Sequence, residues 1–172
     1  MVNRIATAAV VAMLSLMVVG VDRSAAQEDP QGPPPNLHPG AYHRVVLEMW
    51  RDSPTFRQQC LTLATAPKLT VRIRGESTPS PTGVRARSEI SVNPGGVSLA
   101  DILLMSPADT VELIGHEIEH VVEMLEGVRL RDHGCRGNSM GHARESCNAV
   151  EAGRRVAAEV HAAKQQRRET GR

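Results

Sequence analysis

Apolar and polar positions alternate along the middle of the chain at the spacing of a strand that buries one face. Residues 69–75 and 87–93 follow this pattern and are predicted to form two half-buried strands. Residues 97–105 are also rich in aliphatic side chains, and their pattern fits either a third strand or a short helix. The sheet is therefore expected to have two or three strands.

Other stretches repeat their apolar positions at helical spacing, namely residues 41–65, 107–126 and 142–164. The first is expected to break near Ser53 and Pro54, because a residue that precedes proline avoids the helical region. The order of helix, two or three strands and two helices predicts a small single α+β domain, with the sheet packed on the helix at 107–126.

The central helix has recognisable end signals. Ser106 is expected to be its N-cap, with Pro107 at the first helical position, and Gly127 is expected to end it. An apolar stripe at helical spacing predicts the face that packs on the core. Its members are Leu113, Ile114, Val121, Met124, Leu125 and Val128.

Residues 1–26 have the features of a secretory signal peptide. Arg4 provides a basic start, an apolar run extends over residues 5–21, and Ser24-Ala25-Ala26 forms a small-residue cleavage site. This pattern predicts a secreted or periplasmic protein. An uncleaved membrane anchor is the alternative, although the run is just short of the about 20 residues that a span needs.

The rest of the chain divides into a Pro/Gly-rich linker at residues 27–40 and a domain at residues 41–172. The whole chain carries 20 basic and 19 acidic residues, and cleavage would remove Arg4, Arg23 and Asp22, which leaves the two signs in balance. The chain has no basic patch that would predict nucleic-acid binding. No segment after the signal peptide is apolar enough to enter a membrane.

The chain has three cysteines, Cys60, Cys135 and Cys147. Export would place them in a compartment where disulfides persist, and an odd number leaves at least one cysteine unpaired. A Cys135–Cys147 bond is predicted, which would tie the loop after the central helix to the next helix. None of the three has a second cysteine two to four residues away, so they are poor candidates for zinc ligands.

The most informative motif is His116-Glu117-Ile118-Glu119-His120, an H-E-x-x-H sequence inside the central helix. Positions four apart lie on one helical face, so both imidazoles can approach one zinc ion, and Glu117 can take a proton from a water on that ion. The sequence thus predicts one zinc per chain. The alternative is a surface helix that carries two histidines and several glutamates by chance.

A catalytic zinc normally has three protein ligands, so a third one is required. The metzincin pattern needs a glycine three residues after the second His and a His or Asp three further on, but Glu123 and Glu126 occupy these positions. A histidine from the following loop, His133 or His142, is a second possibility.

A glutamate on the last predicted helix is favoured as the third ligand. Glu145 shares its helical face with small and apolar residues, so that face can pack against another helix and carry the carboxylate inward. Glu151 remains the alternative, because its face is mostly solvated. Two neutral imidazoles and one carboxylate would leave a zinc site with net positive charge, which keeps the metal a useful Lewis acid.

The pattern His116-Glu117-x-x-His120 followed by Glu145-x-x-x-Ala149-x-x-x-Gly153 resembles small gluzincin-type zinc metallopeptidase domains of exported bacterial proteins. The resemblance covers residues 60–160. It implies that His116, His120 and Glu145 are zinc ligands and that Glu117 is the general base. It also implies that an extended strand beside the active-site helix lines the substrate cleft, a role that residues 87–93 would fill.

The chain departs from the gluzincin pattern at several positions. Glu119 places a charge between the two histidines and is expected to face away from them, into solvent. The Asp usually found four residues after the third ligand is replaced by Ala149, so the group that orients a ligand histidine must come from elsewhere. The candidates for stabilising the oxyanion are His133, His142 and Tyr42.

These features predict an exported zinc metallopeptidase that acts on a peptide or protein substrate. The main alternative is a zinc-binding protein without catalysis, either a degenerate metallopeptidase fold or an interaction module. A metal-free helical interaction domain is the third hypothesis, and it predicts that chelators leave stability unchanged.

Overall fold

The computed structural model describes residues 32–77, 83–94, 98–128 and 146–171. Within them the chain forms an α+β domain in which helices cover one face of a mixed sheet, and this confirms the predicted class. Its elements are β1 (Leu37–His38), a 3-10 helix (Gly40–Tyr42), α1 (His43–Asp52), α2 (Pro54–Ala64), β2 (Leu69–Gly75), β3 (Ala86–Val92), β4 (Ser98–Leu104), α3 (Thr110–Leu125) and α4 (Cys147–Thr170).

The sheet has the strand order β1-β2-β4-β3. β1, β2 and β4 run parallel, and β3 pairs antiparallel with β4 at one edge. The ambiguous stretch at residues 97–105 is therefore a strand. Alternate side chains of the two central strands lie in the core, as the period-two pattern predicts. These are Leu69, Val71 and Ile73 on β2 and Ala100, Ile102 and Leu104 on β4.

A short strand lies where the sequence predicts only a linker. Leu37 is 5% exposed and pairs with Val71 of β2. The side-chain amide of Asn36 donates hydrogen bonds to the carbonyl oxygens of Leu63 (2.9 Å) and Ala66 (3.3 Å). Two strand residues are too few to show a period in sequence, so only the pairing with β2 reveals that this segment belongs to the domain.

The predicted break near Ser53 is confirmed. Ser53 is extended (φ −116°, ψ 109°) and lies between α1 and α2, and its hydroxyl accepts a hydrogen bond from the amide of Phe56 at 3.0 Å. Pro54 is the first residue of α2, where its missing N–H costs nothing.

The predicted end of α3 is confirmed, whereas its predicted start is wrong. Gly127 has a φ of +72°, and the amide of Val128 donates to the carbonyl of Glu123 at 2.8 Å, which is the Schellman arrangement that ends helices. Ser106 does not cap the helix, because its hydroxyl accepts from the amide of Ala108 in a local turn. The helix begins at Thr110, after Asp109 in the left-handed region.

The last helix begins later and ends later than predicted, at Cys147 and Thr170. Ser146 is its N-cap, and its hydroxyl accepts from the amides of Asn148 and Ala149. The small, apolar face predicted for this helix is confirmed, because it packs on α3. Its buried residues are Ala149, Gly153, Val156 and Val160.

The predictions for the N-terminal region and for one cysteine fall outside the described residues. These are the signal peptide at residues 1–26 and Cys135. Cys147 is disulfide-bonded, and Cys60 has a free thiol, as a Cys135–Cys147 bond would require. Within the ranges that the structure describes, no helix is both long enough and apolar enough to cross a membrane.

Burial of Cys60 predicts an unreactive thiol. Its side chain is 0% exposed, and burial raises the pKa of the thiol to about 12. Because the thiolate is the reactive form, the folded protein should not react with a disulfide reagent such as DTNB at mildly alkaline pH. Denaturation without reduction should release one reactive thiol per chain. Fast reaction of the folded protein, or more than one thiol after denaturation, would contradict this assignment.

Glu159 of α4 joins the last helix to the start of α2. It accepts hydrogen bonds from the Ser53 hydroxyl (2.5 Å), the Thr55 hydroxyl (2.7 Å) and the Thr55 amide (3.1 Å). Burial alone would raise the pKa of this carboxyl, but the hydrogen bonds from Ser53 and Thr55 outweigh it, and the pKa is lowered. The ionised form therefore stabilises the fold.

Replacement of Glu159 by Gln should lower the free energy of unfolding at neutral pH by about 1–3 kcal/mol, since hydrogen bonds to a charged acceptor are lost. A carboxyl with a lowered folded pKa contributes stability above its unfolded pKa of about 4.3 and loses it as pH falls through the folded value. Urea unfolding of both proteins from neutral to acid pH should thus show convergence in acid. Exposed Glu169→Gln is the control. A difference independent of pH would refute the role of the charge.

Candidate metal centre

The two motif histidines lie one turn apart on α3, as their spacing predicts. Their ring centroids are 4.9 Å apart and the rings meet edge to face at 85°. Both residues are partly exposed, and the side chain of His120 is 14% exposed. At this separation one nitrogen of each ring can approach a single ion at the Zn–N distance of about 2.0–2.1 Å.

Glu117, the predicted general base, is 4% exposed. It lies between the two histidines in sequence and shares their rigid helix. A carboxylate buried to this extent is costly unless it is hydrogen-bonded or paired. The sequence motif alone does not reveal this burial, because most glutamates on helices are solvated.

Glu123 is the site residue that the sequence analysis missed. It lies one turn after His120 on α3 and is 2% exposed. Its Oε2 atom is 3.1 Å from Nδ1 of His120, and the hydroxyl of Ser146 donates to its Oε1 atom. The spacing of three residues between His120 and Glu123 was a signal, since such residues are neighbours on a helix. In sequence, Glu123 argues only against the metzincin pattern.

Ser146 joins the two helices of the site. It is 0% exposed, and its hydroxyl donates to Glu123 while it accepts from the amides of Asn148 (3.1 Å) and Ala149 (3.4 Å). The same hydroxyl therefore caps α4 and contacts a carboxylate on α3. This places the start of α4 beside the last turns of α3.

α3 and α4 pack closely beside His116. A Cβ atom added at Gly153 would lie 2.7 Å from the carbonyl oxygen of Glu112 and 3.0 Å from Cβ of His116. A Cβ atom at Gly115 would lie 3.1 Å from the side chain of Val156. Only residues without side chains allow this approach, which holds the backbone around His116 against α4.

Glu119 is not solvated, contrary to the sequence-based expectation. It is partly buried against α2, where the side-chain amide of Gln59 donates to it at 2.8 Å and to the carbonyl of Gly115 at 2.9 Å. Burial raises the pKa of the Glu119 carboxyl, and the hydrogen bond from Gln59 opposes that shift. The helical wheel was misleading because it does not show that α2 covers this face.

Glu151, the alternative third ligand, does not join the histidines. It is exposed on α4 and forms an ion pair with Arg155. Together with Glu119 it lines a groove of about 420 Å³ between α2, α3 and α4. Among the residues that the structure describes, no third His, Cys, Asp or Glu completes a group able to hold a metal. The remaining candidates, Glu145, His133 and His142, lie outside the described residues.

The strand expected to line a substrate cleft is β3, one of the two edge strands of the described sheet. It contacts α3, the helix that carries the histidines, and its outward side chains Arg87 and Glu89 are exposed. Tyr42, one candidate for oxyanion stabilisation, lies in the 3-10 helix with its hydroxyl directed at Gly75. The predicted strand at residues 87–93 is confirmed as β3. Its role in substrate binding stays a prediction.

Comparison with known proteins does not identify the chain: no family model, curated protein or solved structure matches it.

Replacement of Gly153 by Ala should destabilise the protein. The added methyl meets the backbone of α3, which cannot give way as a flexible side chain could. We expect a loss of about 1–3 kcal/mol in the free energy of unfolding, despite a gain of about 1 kcal/mol in helix propensity. The control is Gly32→Ala, where the methyl meets nothing within 4 Å. Urea unfolding that ranks Gly153→Ala at or above the native protein would refute the close contact.

Proposed function

We propose that the protein is a zinc-dependent metallopeptidase that hydrolyses peptide bonds in an exported compartment. The observation that carries the proposal is the arrangement on α3, where the rings of His116 and His120 lie 4.9 Å apart and Nδ1 of His120 contacts buried Glu123. That contact leaves the other nitrogen of His120 available as a ligand. Two imidazoles arranged in this way suit zinc better than magnesium or calcium, which prefer oxygen ligands.

The residues that would hold the ion are His116, His120 and, as third ligand, Glu145. The described donors fit zinc, because both are imidazoles on one rigid helix and one has a carboxylate partner. When bound, zinc supplies a Lewis acid that polarises the scissile carbonyl and lowers the pKa of water.

Glu117 would serve as the general base. It takes the proton of the attacking water and then delivers it to the leaving amine, so the same carboxylate acts in both directions. Its low exposure supports this role, because a carboxylate shielded from bulk solvent transfers its proton within the site.

The substrate would be an extended peptide. β3 has a free backbone edge among the described strands and contacts α3, so a peptide could add to the sheet beside the histidines. Backbone hydrogen bonds of this kind hold a peptide in register without requiring particular side chains. This suits a small domain in which only a few elements are available to form side-chain pockets.

The first test is the zinc content of the purified protein by mass spectrometry, beside His116→Ala and His120→Ala. About one zinc per chain, lost in both variants, is expected. Glu117→Gln should keep the zinc and lose peptide hydrolysis by about 10²–10⁴-fold, measured on a fluorogenic peptide library. Exposed Glu126→Gln should retain both properties.

The outcomes separate the hypotheses. Absence of zinc after reconstitution would refute the metal site and favour a helical interaction domain. Stoichiometric zinc without turnover on any peptide would support the non-catalytic zinc-binding protein. Full activity in Glu117→Gln would refute the proposed mechanism while leaving the metal in place.

A further inference from the structure

We infer that Glu123 is the positioning residue of this site: it fixes the tautomer and orientation of His120 and, through Ser146, holds the start of α4. The inference rests on the proposed zinc site for its functional meaning. Its geometric part, the pairing of Glu123 with His120 and Ser146, concerns the metal-free protein alone.

Burial constrains the carboxylate of Glu123. Its side chain is 2% exposed, and a buried carboxylate is costly unless its oxygens have partners. Both oxygens are engaged, Oε2 by His120 and Oε1 by the Ser146 hydroxyl. Glu123 therefore has a defined orientation, which a solvated carboxylate at the same spacing would lack.

The contact between Glu123 and His120 favours one tautomer of the ring. Nδ1 of His120 lies 3.1 Å from Oε2 of Glu123, and a carboxylate in its charged form can only accept a hydrogen bond, so this pairing favours the tautomer with the proton on Nδ1. The lone pair of the neutral ring is then on Nε2, the nitrogen away from Glu123. A carboxylate that fixes the ring in this way also makes it a stronger metal donor.

The same carboxylate connects two helices. The backbone of Glu123 is held in the last turn of α3, where its carbonyl accepts from the amide of Val128 at 2.8 Å. Its side chain meets Ser146, the N-cap of α4. Ser146 directly follows Glu145, the predicted third ligand, in sequence. Glu123 thus links His120 on α3 to the start of α4.

The experiment combines two readouts. Long-range ¹H–¹⁵N NMR correlations of the metal-free protein at mildly alkaline pH report which ring nitrogen of His120 carries the proton, and the expected result is Nδ1.

Zinc affinity, measured by competition with a chromophoric chelator, should fall by about 10- to 100-fold in Glu123→Gln, since this is the usual effect of removing such a partner. Ser146→Ala should weaken zinc binding, and Ser146→Thr, which keeps the hydroxyl, should restore it. Glu126→Gln, on the exposed end of the same helix, should match the native protein.

Failure of this inference differs from failure of the proposed function. If the native protein binds zinc but Glu123→Gln binds it equally well, or His120 carries its proton on Nε2, the positioning role is refuted and the zinc site stands. If the native protein binds no zinc, the proposed function fails, and the tautomer of His120 alone decides whether Glu123 orients the ring. The NMR readout uses the native protein, so it does not depend on the folding of any variant.

Discussion

The close packing of α3 against α4 is the constraint on which the rest of the structure depends. At Gly153 the helices approach so closely that a methyl group would lie 2.7 Å from a carbonyl oxygen of α3 and 3.0 Å from Cβ of His116. This contact fixes the helix that carries both histidines, and it brings the start of α4 to the last turns of α3. The hydroxyl of Ser146 can therefore reach Glu123, and the other oxygen of Glu123 contacts His120. A looser helix pair would separate the Ser146 hydroxyl from Glu123 and leave that carboxylate with His120 as its partner.

Polar groups at the helix contacts define how the helices are placed along one another. The amide nitrogen of Gln59 donates to α3 at Gly115 and Glu119, which sets the position of α2. Glu159 accepts from Ser53 and Thr55, which sets the start of α2 against the middle of α4. Apolar packing alone tolerates small shifts between helices, whereas a buried hydrogen bond is lost when its two groups move apart. These contacts therefore give the aliphatic core a single arrangement and keep α3 in place.

Much of the fold could be predicted because its signals are local. Alternation at residues 69–75 predicts β2 within the same bounds. The glycine at 127 predicts the end of α3, where it adopts the left-handed conformation. Both signals depend on neighbouring residues only. The start of α3 was predicted too early because the Ser106 hydroxyl can bond either a helix amide or a nearby turn, and the local sequence does not decide between them. The strand at residues 37–38 escaped prediction because its existence depends on β2, a partner more than 30 residues away.

By itself the sequence determined the spacing of His116 and His120, since a helix places positions four apart on one face wherever it lies. It also determined that α4 has a face of small residues suited to close packing. Only the tertiary structure decided that Glu119 is covered by α2, that Glu151 faces a different groove, and that Glu123 is buried beside His120. The reason is physical: helical periodicity acts within a few residues, whereas Ser146 and Glu123 are 23 residues apart and meet only after α4 has docked on α3.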